Sequence, residues 1–307
     1  MGLSKVKWKK SFLVTGGLFG FLNTMATTIY TFSPNFPDFI EPIVRDCSWY
    51  ILLFIIIILL LVLFIISCFI TTFKINNIKI NISNTEVKIS TGRLFRKNKC
   101  YYNDGINVIS VSNIFIPTVR GENDPIVSTY QQFIREIVKA NMSAFITELK
   151  KNLKNIEPID PNARIKSYPL GATTSIVKFD DCQCIFLAIV KLTDPNASMI
   201  PNPAKEATSI KIFIEILTKL WNEIHSKVDY GIAVNMPLIG SGNSKVPMNN
   251  YQILQTILMT LYYETKINRK IVKELRIIID KKDSKSIDLH SIKTFWDAAH
   301  LESRNDS

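Results

Sequence analysis

An uncharged apolar run at residues 51–70 limits what this chain can fold into more than any other feature of its sequence. A helix rises 1.5 Å per residue, so a run of this length crosses a bilayer core of about 30 Å. Trp49 and Tyr50 precede the run and Lys74 follows it, the order typical of an outer aromatic belt and an inner basic anchor. The sequence therefore predicts a transmembrane helix over 49–73 that runs from outside to inside.

A second apolar segment, 11–32, is also long enough to span a bilayer, although it carries glycines, threonines and Asn23. The tail before it, 1–10, is rich in lysine, whereas the loop 33–48 has Arg45 as its one basic residue. This bias predicts a hairpin in the inner (plasma) membrane with both termini in the cytosol. A cleaved signal peptide is the alternative, but no convincing small-x-small cleavage site follows the segment.

Gly16 and Gly20 have the GxxxG spacing that lets a second helix approach closely. Small residues at this spacing favour an intermolecular helix contact, packing against the helix at 49–73, or the lining of a pore. We therefore expect the lipid bilayer and a second copy of the chain as partners.

Beyond residue 74, strand-like and helix-like segments alternate up to a short tail at 301–307. The predicted strands are 75–82, 86–89, 107–116, 184–190, 231–238 and 275–279, and the predicted helices are 128–153, 204–224, 250–264 and 287–299. Continuous apolar strands between helices are typical of a parallel sheet covered on both faces. The predicted fold class is α/β: an N-terminal two-helix transmembrane hairpin followed by a three-layer α/β/α domain over 74–300.

Charge, cysteine and histidine content narrow the possible ligands. The net charge of +11 is typical of nucleic-acid binding, but lysines beside the apolar segments account for part of it, and we predict no nucleic-acid partner. The five cysteines lack metal-ligand spacing, so we expect reduced thiols, with Cys182 and Cys184 on one face of a strand. The three histidines are too scattered for a metal site or a catalytic dyad. We predict no metal, no cofactor and no catalytic residue.

A glycine-containing loop follows the predicted strand 231–238. It consists of Leu238, Ile239, Gly240, Ser241, Gly242 and Asn243. Glycines let backbone N–H groups approach a phosphate, and the helix that begins after Pro247 would add its positive dipole. An ordinary turn is the competing interpretation. No P-loop lysine follows the glycines, which argues against a Walker-type nucleotide hydrolase.

The order of these elements and several short motifs resemble the divergent macro domain of Thoeris anti-phage effectors of the ThsA macro type. The resemblance covers the whole chain, including the paired-helix anchor. Its motifs are Gly92-Arg93-Leu94-Phe95, the strand 108–113 with Ile114-Phe115, the turn Leu170-Gly171, the loop 237–242, and Asp288-Leu289 with Trp296.

The resemblance implies that the domain binds an ADP-ribose-derived signal, made from NAD by a partner TIR enzyme, with a histidine-linked form suspected. It assigns the distal ribose to Asn113 and the diphosphate to Gly240, Ser241 and Gly242. The implied ligand-binding residues are Asn113, Phe115, Gly171, Leu238, Ile239, Gly240, Ser241, Gly242 and Asn243. Many macro domains have an aspartate at the position of Arg93, and a guanidinium cannot accept the adenine amino hydrogens. Adenine recognition therefore departs from the family pattern.

Three functions remain in competition. We expect a non-catalytic membrane effector, in which signal binding triggers oligomerisation and membrane disruption, leading to abortive infection. The alternative is a membrane-tethered ADP-ribose-binding hydrolase, which needs an activated water near Asn113, yet no acid–base pair is evident there. A nucleic-acid-binding tether rests on net charge alone, and salt-sensitive DNA binding is its minimum requirement.

Overall fold

The computed structural model describes the greater part of residues 77–305. The described residues are 20, 58, 61, 62, 77–96, 99, 100, 102, 104–115, 128–139, 141–192, 205–242, 244–268 and 270–305. The chain divides into two compact units, Met1–Ile75 and Asn76–Ser307. In the first unit the description is limited to Gly20, Ile58, Leu61 and Val62, each of them helical. The elements described below belong to the second unit.

The predicted transmembrane hairpin is not supported. Among the residues that the structure describes, no helix is both long enough and apolar enough to cross a bilayer. The predicted spans 11–32 and 49–73 lie outside the described residues, apart from the four helical positions of the first unit. The fold class is therefore corrected: the structure supports an α/β fold, and it supports neither the two-helix hairpin nor the predicted multi-pass location in the inner membrane.

A mixed eight-stranded sheet forms the centre of the second unit. Its strands are β1 (Asn77–Ile82), β2 (Thr85–Thr91), β5 (Gly105–Ser112), β6 (Val177–Phe179), β7 (Cys182–Leu192), β8 (Lys205–Glu206), β9 (Ala233–Pro237) and β10 (Glu274–Ile279); a separate hairpin contains β3 (Phe95–Arg96) and β4 (Lys99–Cys100). The order is β1-β2-β10-β9-β5-β7-β6, and β8 pairs with the end of β7. Neighbours from β2 to β7 run parallel, whereas β1 and β6 pair antiparallel. The predicted parallel arrangement is thus confirmed for the inner strands and wrong for the edge strands.

Helices cover both faces of the sheet. They are α1 (Thr129–Phe133), a π-helix (Ile134–Val138), α2 (Met142–Leu153), α3 (Ile210–Lys227), α4 (Asn250–Asn268), a 3₁₀ turn (Asp283–Ser286) and α5 (Leu289–Asn305). Helices α3, α4 and α5 pack on one face, where β1 contributes its alternate isoleucines to the core. Helices α1 and α2 pack on the other face around Phe133, Phe145 and Phe186. Three layers result.

The predicted helix over 128–153 is broken in the middle. The Lys139 N–H donates to the Ile134 carbonyl (2.8 Å), which closes a wide π-turn. Lys139 then takes a φ of 49°, so the chain leaves the helix axis before α2 begins. The predicted start of α3 at 204 is also wrong. Ser209 accepts a hydrogen bond from the Ile212 N–H (3.3 Å), and this N-cap begins the helix at residue 210.

Cys100 and Cys182 form a disulfide, with Cα atoms 6.5 Å apart. It ties the β3–β4 hairpin to the start of β7. The expectation of reduced thiols is therefore wrong for this pair, because residues 82 positions apart in sequence meet on one face of the sheet. Cys184 is free and buried, and burial raises the pKa of its thiol far above the usual range. That thiol remains protonated and unreactive at neutral pH.

Candidate functional site

The carboxyl ends of the parallel strands bring the candidate site together. Thr91 ends β2, Ile279 ends β10, Pro237 ends β9 and Ser112 ends β5. These strands are neighbours in the sheet, so the loops that follow them lie side by side. In open α/β sheets this edge is where ligands bind. The glycine loop, which we define as residues 238–242, follows β9 in the middle of this edge.

Two turns fold the glycine loop. The Ile239 N–H donates to the Pro237 carbonyl (2.8 Å), and the Ser241 N–H donates to the Leu238 carbonyl (3.3 Å). The Ser241 hydroxyl reinforces the second turn by donating to the same carbonyl (2.8 Å). Leu238 and Ile239 are buried and anchor the loop in the core. Both were predicted to bind the ligand, and with their side chains buried only their backbone atoms are available for such a contact.

Gly240 has no room for a side chain. Its φ is +99°, which residues with a Cβ rarely adopt. An added Cβ would also lie 2.9 Å from Cζ of Phe213, on the first turn of α3. The first turn of α4 is close as well, since Cγ2 of Ile253 would be 3.5 Å from the same Cβ. The loop is therefore packed against the N-terminal turns of two helices.

The backbone of the glycine loop presents free hydrogen-bond donors. Within the described residues, neither the Gly240 N–H nor the Gly242 N–H donates a hydrogen bond. Gly242 is exposed, and nothing lies within 4 Å of the position of an added Cβ. Unpaired N–H groups beside helix N-termini form a favourable environment for an anion. The arrangement can bind a phosphate or diphosphate through its main chain.

Helix α3 begins beside the end of the loop, in addition to the predicted helix α4. The Thr208 N–H, just before α3, donates to the Ser244 carbonyl (3.0 Å), so α3 begins beside the loop. Helix α4 begins eight residues after Gly242, and its first N–H groups are partly satisfied by a reciprocal cap. In this cap Gln252 N–H donates to the Asn249 side chain and Asn249 N–H donates to the Gln252 side chain, both at 2.9 Å.

Asn113 lies just after β5, and its side-chain oxygen is engaged in a hydrogen bond. The residue is buried, and its side-chain oxygen accepts a hydrogen bond from the Leu192 N–H (3.2 Å). Its N–H donates to the Val190 carbonyl (2.8 Å). Asn113 therefore fixes the carboxyl end of β7 against β5. A substitution of Asn113 would therefore disturb the packing of β7 as well as any contact that the side chain makes with a ribose.

Of the other predicted site residues, Phe115 and Gly171 are not placed with the glycine loop. Phe115 is buried on the α2 side of the sheet, with its ring in an edge-to-face contact with Tyr168 at a centroid distance of 5.4 Å. Gly171 packs against the middle of α3, where an added Cβ would lie 3.0 Å from Lys219 Cδ. Asn243 lies outside the described residues.

Charged residues complete the edge, and the sequence reasoning missed two of them. Asp280 directly follows β10, and its carboxylate pairs with Arg93 at a distance of 3.7 Å from Nε. Asp283 lies farther along the same segment and accepts a hydrogen bond from the Ser241 hydroxyl (3.4 Å). Both follow an apolar strand, so the strand-end reasoning that found the glycine loop would also have found them. The edge therefore carries carboxylates beside the loop and a guanidinium at its rim.

Comparison with known proteins agrees with this architecture. The family model described as "Thoeris protein ThsA, Macro domain" matches residues 87–280. The Thoeris protein ThsA of Bacillus amyloliquefaciens (strain Y2) is 24% identical over 277 residues, covering 87% of this chain and 86% of that protein.

Solved macrodomains are more distant. The Oceanobacillus iheyensis macrodomain with ADP has a TM-score of 0.45 at 12% identity, covering 74% of this chain and 97% of that one. A Trypanosoma brucei macrodomain in complex with ADP-ribose has a TM-score of 0.39 at 8% identity, covering 66% and 68%. The assignment rests on the family match, which spans well over half of the sequence. The chain belongs to the Thoeris ThsA macro-domain family.

Proposed function

We propose that this chain is the receptor of a Thoeris-type anti-phage defence system and that its macro domain binds an ADP-ribose-derived signal. The observation that carries the proposal is the glycine loop, whose Gly240 and Gly242 N–H groups have no acceptor within the described residues. Packing of the loop against the first turns of α3 and α4 adds a favourable dipole for a diphosphate. Membership of the ThsA family supports the class of ligand.

The order of the strands suggests how the ligand lies. The glycine loop follows β9, with β10 and β2 on one side and β5 on the other. Strands are about 4.8 Å apart, so the edge from β2 to β5 extends for roughly 14 Å. In this proposal the diphosphate lies on the glycine loop and the distal ribose lies towards Asn113. The adenine lies towards Arg93 and Asp280, where the Asp280 carboxylate can accept the amino hydrogens that Arg93 cannot.

The signal in this proposal is made from NAD by a TIR enzyme, and a histidine-linked ADP-ribose is the form that we favour. Binding shifts the chain towards a self-associated state, because a ligand that prefers the assembled form must also promote assembly. The TIR enzyme needs no direct contact with this chain. Membrane disruption depended on the predicted hairpin and forms no part of the proposal.

Receptor function requires no catalysis, and the placement of the carboxylates supports a binder over a hydrolase. A hydrolase would need an acid or base beside Asn113 to activate water. Among the described residues at this edge, Asp280 and Asp283 follow β10, on the far side of the glycine loop from β5. Release of free ADP-ribose from an ADP-ribosylated protein by the purified chain, followed by chromatography, would favour the hydrolase instead.

The binding proposal is tested by calorimetric titration of the full chain with ADP-ribose and with histidine-linked ADP-ribose. Gly242→Glu adds a carboxylate at an exposed position where the Cβ meets no atom, so the fold is preserved and the diphosphate is repelled. We expect its affinity to fall by at least about tenfold, the equivalent of one lost charge-assisted contact.

The matched control is Gly231→Glu. Gly231 is also exposed with open space at its Cβ, but it precedes β9, at the opposite end of the strand from the glycine loop. Its affinity should equal that of the unmodified chain. Equal loss in both variants, or binding unaffected by Gly242→Glu, would remove the glycine loop from the proposal.

Self-association is tested by measuring the mass distribution of the chain with and without histidine-linked ADP-ribose. Larger assemblies should appear with the ligand for the unmodified chain and for Gly231→Glu, and should not appear for Gly242→Glu. A mass distribution that saturating ligand leaves unchanged would restrict the proposal to binding alone.

A further inference from the structure

A pocket opens on the α2 side of the sheet, with a volume of about 490 Å³. That volume is within the range of small-molecule sites. Its walls come from α2, from the segment 156–168 and from the two residues that follow Asn113. The lining residues are Ile114, Phe115, Ile146, Leu149, Lys150, Leu153, Lys154, Ile156, Pro158, Arg164, Ile165, Lys166 and Tyr168. We refer to it as the α2 pocket.

The polar side chains of the α2 pocket are almost entirely donors. Lys150, Lys154, Arg164 and Lys166 are exposed at its rim, and none of the described residues that line it is acidic. None of these four cations forms an ion pair with another described residue, whereas the adjacent Lys151 pairs with Glu148 (3.8 Å). Lysine and arginine side chains accept no hydrogen bonds. The polar end of a matching ligand is therefore an anionic acceptor.

The floor of the pocket is hydrocarbon. Isoleucine, leucine and proline side chains supply most of it, and Phe115 and Tyr168 supply two rings. A nucleobase would find no carboxylate or amide side chain here to accept its amino hydrogens. An alkyl or other unsubstituted hydrocarbon body has no such requirement and gains from the apolar area that it buries. The body of a matching ligand is therefore apolar.

Phe115, which forms part of the pocket wall, has an unfavourable backbone conformation. Its φ is 57°, in the left-handed region that residues other than glycine rarely adopt. Two hydrogen bonds maintain it: the Phe115 N–H donates to the Ser112 carbonyl (3.0 Å), and the buried Tyr130 hydroxyl donates to the Phe115 carbonyl (2.8 Å). Such conformations persist where the surroundings fix them, and they are concentrated at ligand sites.

The α2 pocket is separate from the glycine loop. The loop packs against Phe213 of α3, on one face of the sheet, and the pocket is built on α2, on the other face. The segment after β5 borders both, because Asn113 belongs to the first region and Ile114 and Phe115 belong to the second.

From these observations we infer that the α2 pocket binds a small anionic amphiphile, with its carboxylate or phosphate on the four rim cations and its hydrocarbon body on the floor. The inference is independent of signal binding at the glycine loop, so either can fail without the other.

Photo-crosslinking of the full chain with a diazirine-bearing decanoate tests the inference, with labelled peptides located by mass spectrometry. Labels should fall on α2 and on 156–168. The double variant Lys150→Gln/Lys154→Gln removes two rim charges from exposed positions, and labelling there should fall by about tenfold. The matched control Lys151→Gln/Lys178→Gln removes two exposed charges that do not line the pocket and should leave labelling unchanged.

Competition identifies the ligand chemistry. Excess decanoate and excess decyl phosphate should displace the probe, and the more effective of them identifies the preferred head group. Decyl maltoside, which has the same chain without charge, and AMP, which has a phosphate on a polar body, should not. Displacement by AMP at the same concentration, labelling outside the pocket, or equal labelling of both double variants would overturn the inference.

Discussion

At Gly240, backbone geometry and packing both require a residue without a side chain. Its φ of +99° and the 2.9 Å approach of an added Cβ to Phe213 both exclude a side chain. We expect Gly240→Ala to lower the free energy of unfolding by about 2–3 kcal/mol, from strain and overpacking together. Gly242→Ala, where the Cβ is unobstructed, should change it by less than about 0.5 kcal/mol. Urea unfolding of the two variants tests this, and equal destabilisation would contradict the loop geometry.

Asn113 also has a structural role that can be measured by its effect on stability. Asn113→Ala leaves the Leu192 N–H without its acceptor in a buried position, so we expect a loss of about 1–3 kcal/mol in the free energy of unfolding. Chemical denaturation measures the loss. If Asn113→Ala were as stable as the unmodified chain, the side chain would not hold β7, and reduced ligand binding could be attributed to direct contact alone.

Glu264 of α4 gives the chain a pH-dependent stability. The residue is buried, and burial raises the pKa of its carboxyl above the ordinary value. The folded state therefore holds this proton more tightly than the unfolded state does. The resulting stabilisation is complete below the unfolded-state pKa and is lost as the pH rises through the folded-state pKa.

Glu264→Gln cannot ionise and retains an oxygen to accept the hydrogen bond from Asn268. Relative to the unmodified chain, it should therefore become more stable as the pH rises from about 4 to 7. Urea midpoints at the two pH values test this, with the exposed Glu157→Gln as a control. A stability difference that does not change with pH would show that Glu264 ionises normally.

At the scale of elements, the disulfide joins two segments that the sheet alone does not connect directly. It closes a chain segment of 82 residues between the β3–β4 hairpin and β7. The loop-entropy model gives roughly 4.5 kcal/mol for a loop of this length. Cys100→Ser/Cys182→Ser should lose stability on that scale, and a reductant should destabilise the unmodified chain without affecting the variant. Thermal unfolding with and without reductant measures both effects, and no response to the reductant would mean that the bond is absent in solution.

Elements with strong periodicity were predictable from sequence, and their ends were not. The apolar runs at β9 and β10 and the helical spacing of α4 locate each element to within a few residues. The break between α1 and α2 was missed because Lys139 is an ordinary helix former whose left-handed conformation is imposed by its surroundings. The disulfide was missed because its two cysteines approach each other only once β5 and β7 have paired.

The candidate site was predictable from sequence only where local motifs determine it. Strand-end reasoning located the glycine loop, and the resemblance to macro domains indicated Asn113. It did not show that the Asn113 side chain is engaged by β7, or that Phe115 lies on the opposite face of the sheet. Those facts depend on contacts between distant segments, which short motifs do not encode.

At the scale of the whole molecule, signal binding should raise thermal stability. A ligand present at 100 times its dissociation constant adds about 2.7 kcal/mol to a protein that binds it only when folded. For a domain of this size that corresponds to an increase in Tm of roughly 5–10 °C. Thermal unfolding with ADP-ribose should show this increase for the unmodified chain and for Gly231→Glu, and a much smaller one for Gly242→Glu. The same increase in all three would place the ligand elsewhere.

The position of β10 in the sheet also determines when, during synthesis, the sheet can be completed. Although β10 is the last of the described strands in sequence, it lies between β2 and β9 and hydrogen-bonds to both. A nascent chain that stops before residue 274 contains the glycine loop but leaves the strands on either side of that gap unjoined. Such an incomplete translation product has no continuous sheet to support the glycine loop. The glycine loop of an incomplete chain therefore lacks its neighbouring strand until residues 274–279 have been synthesised.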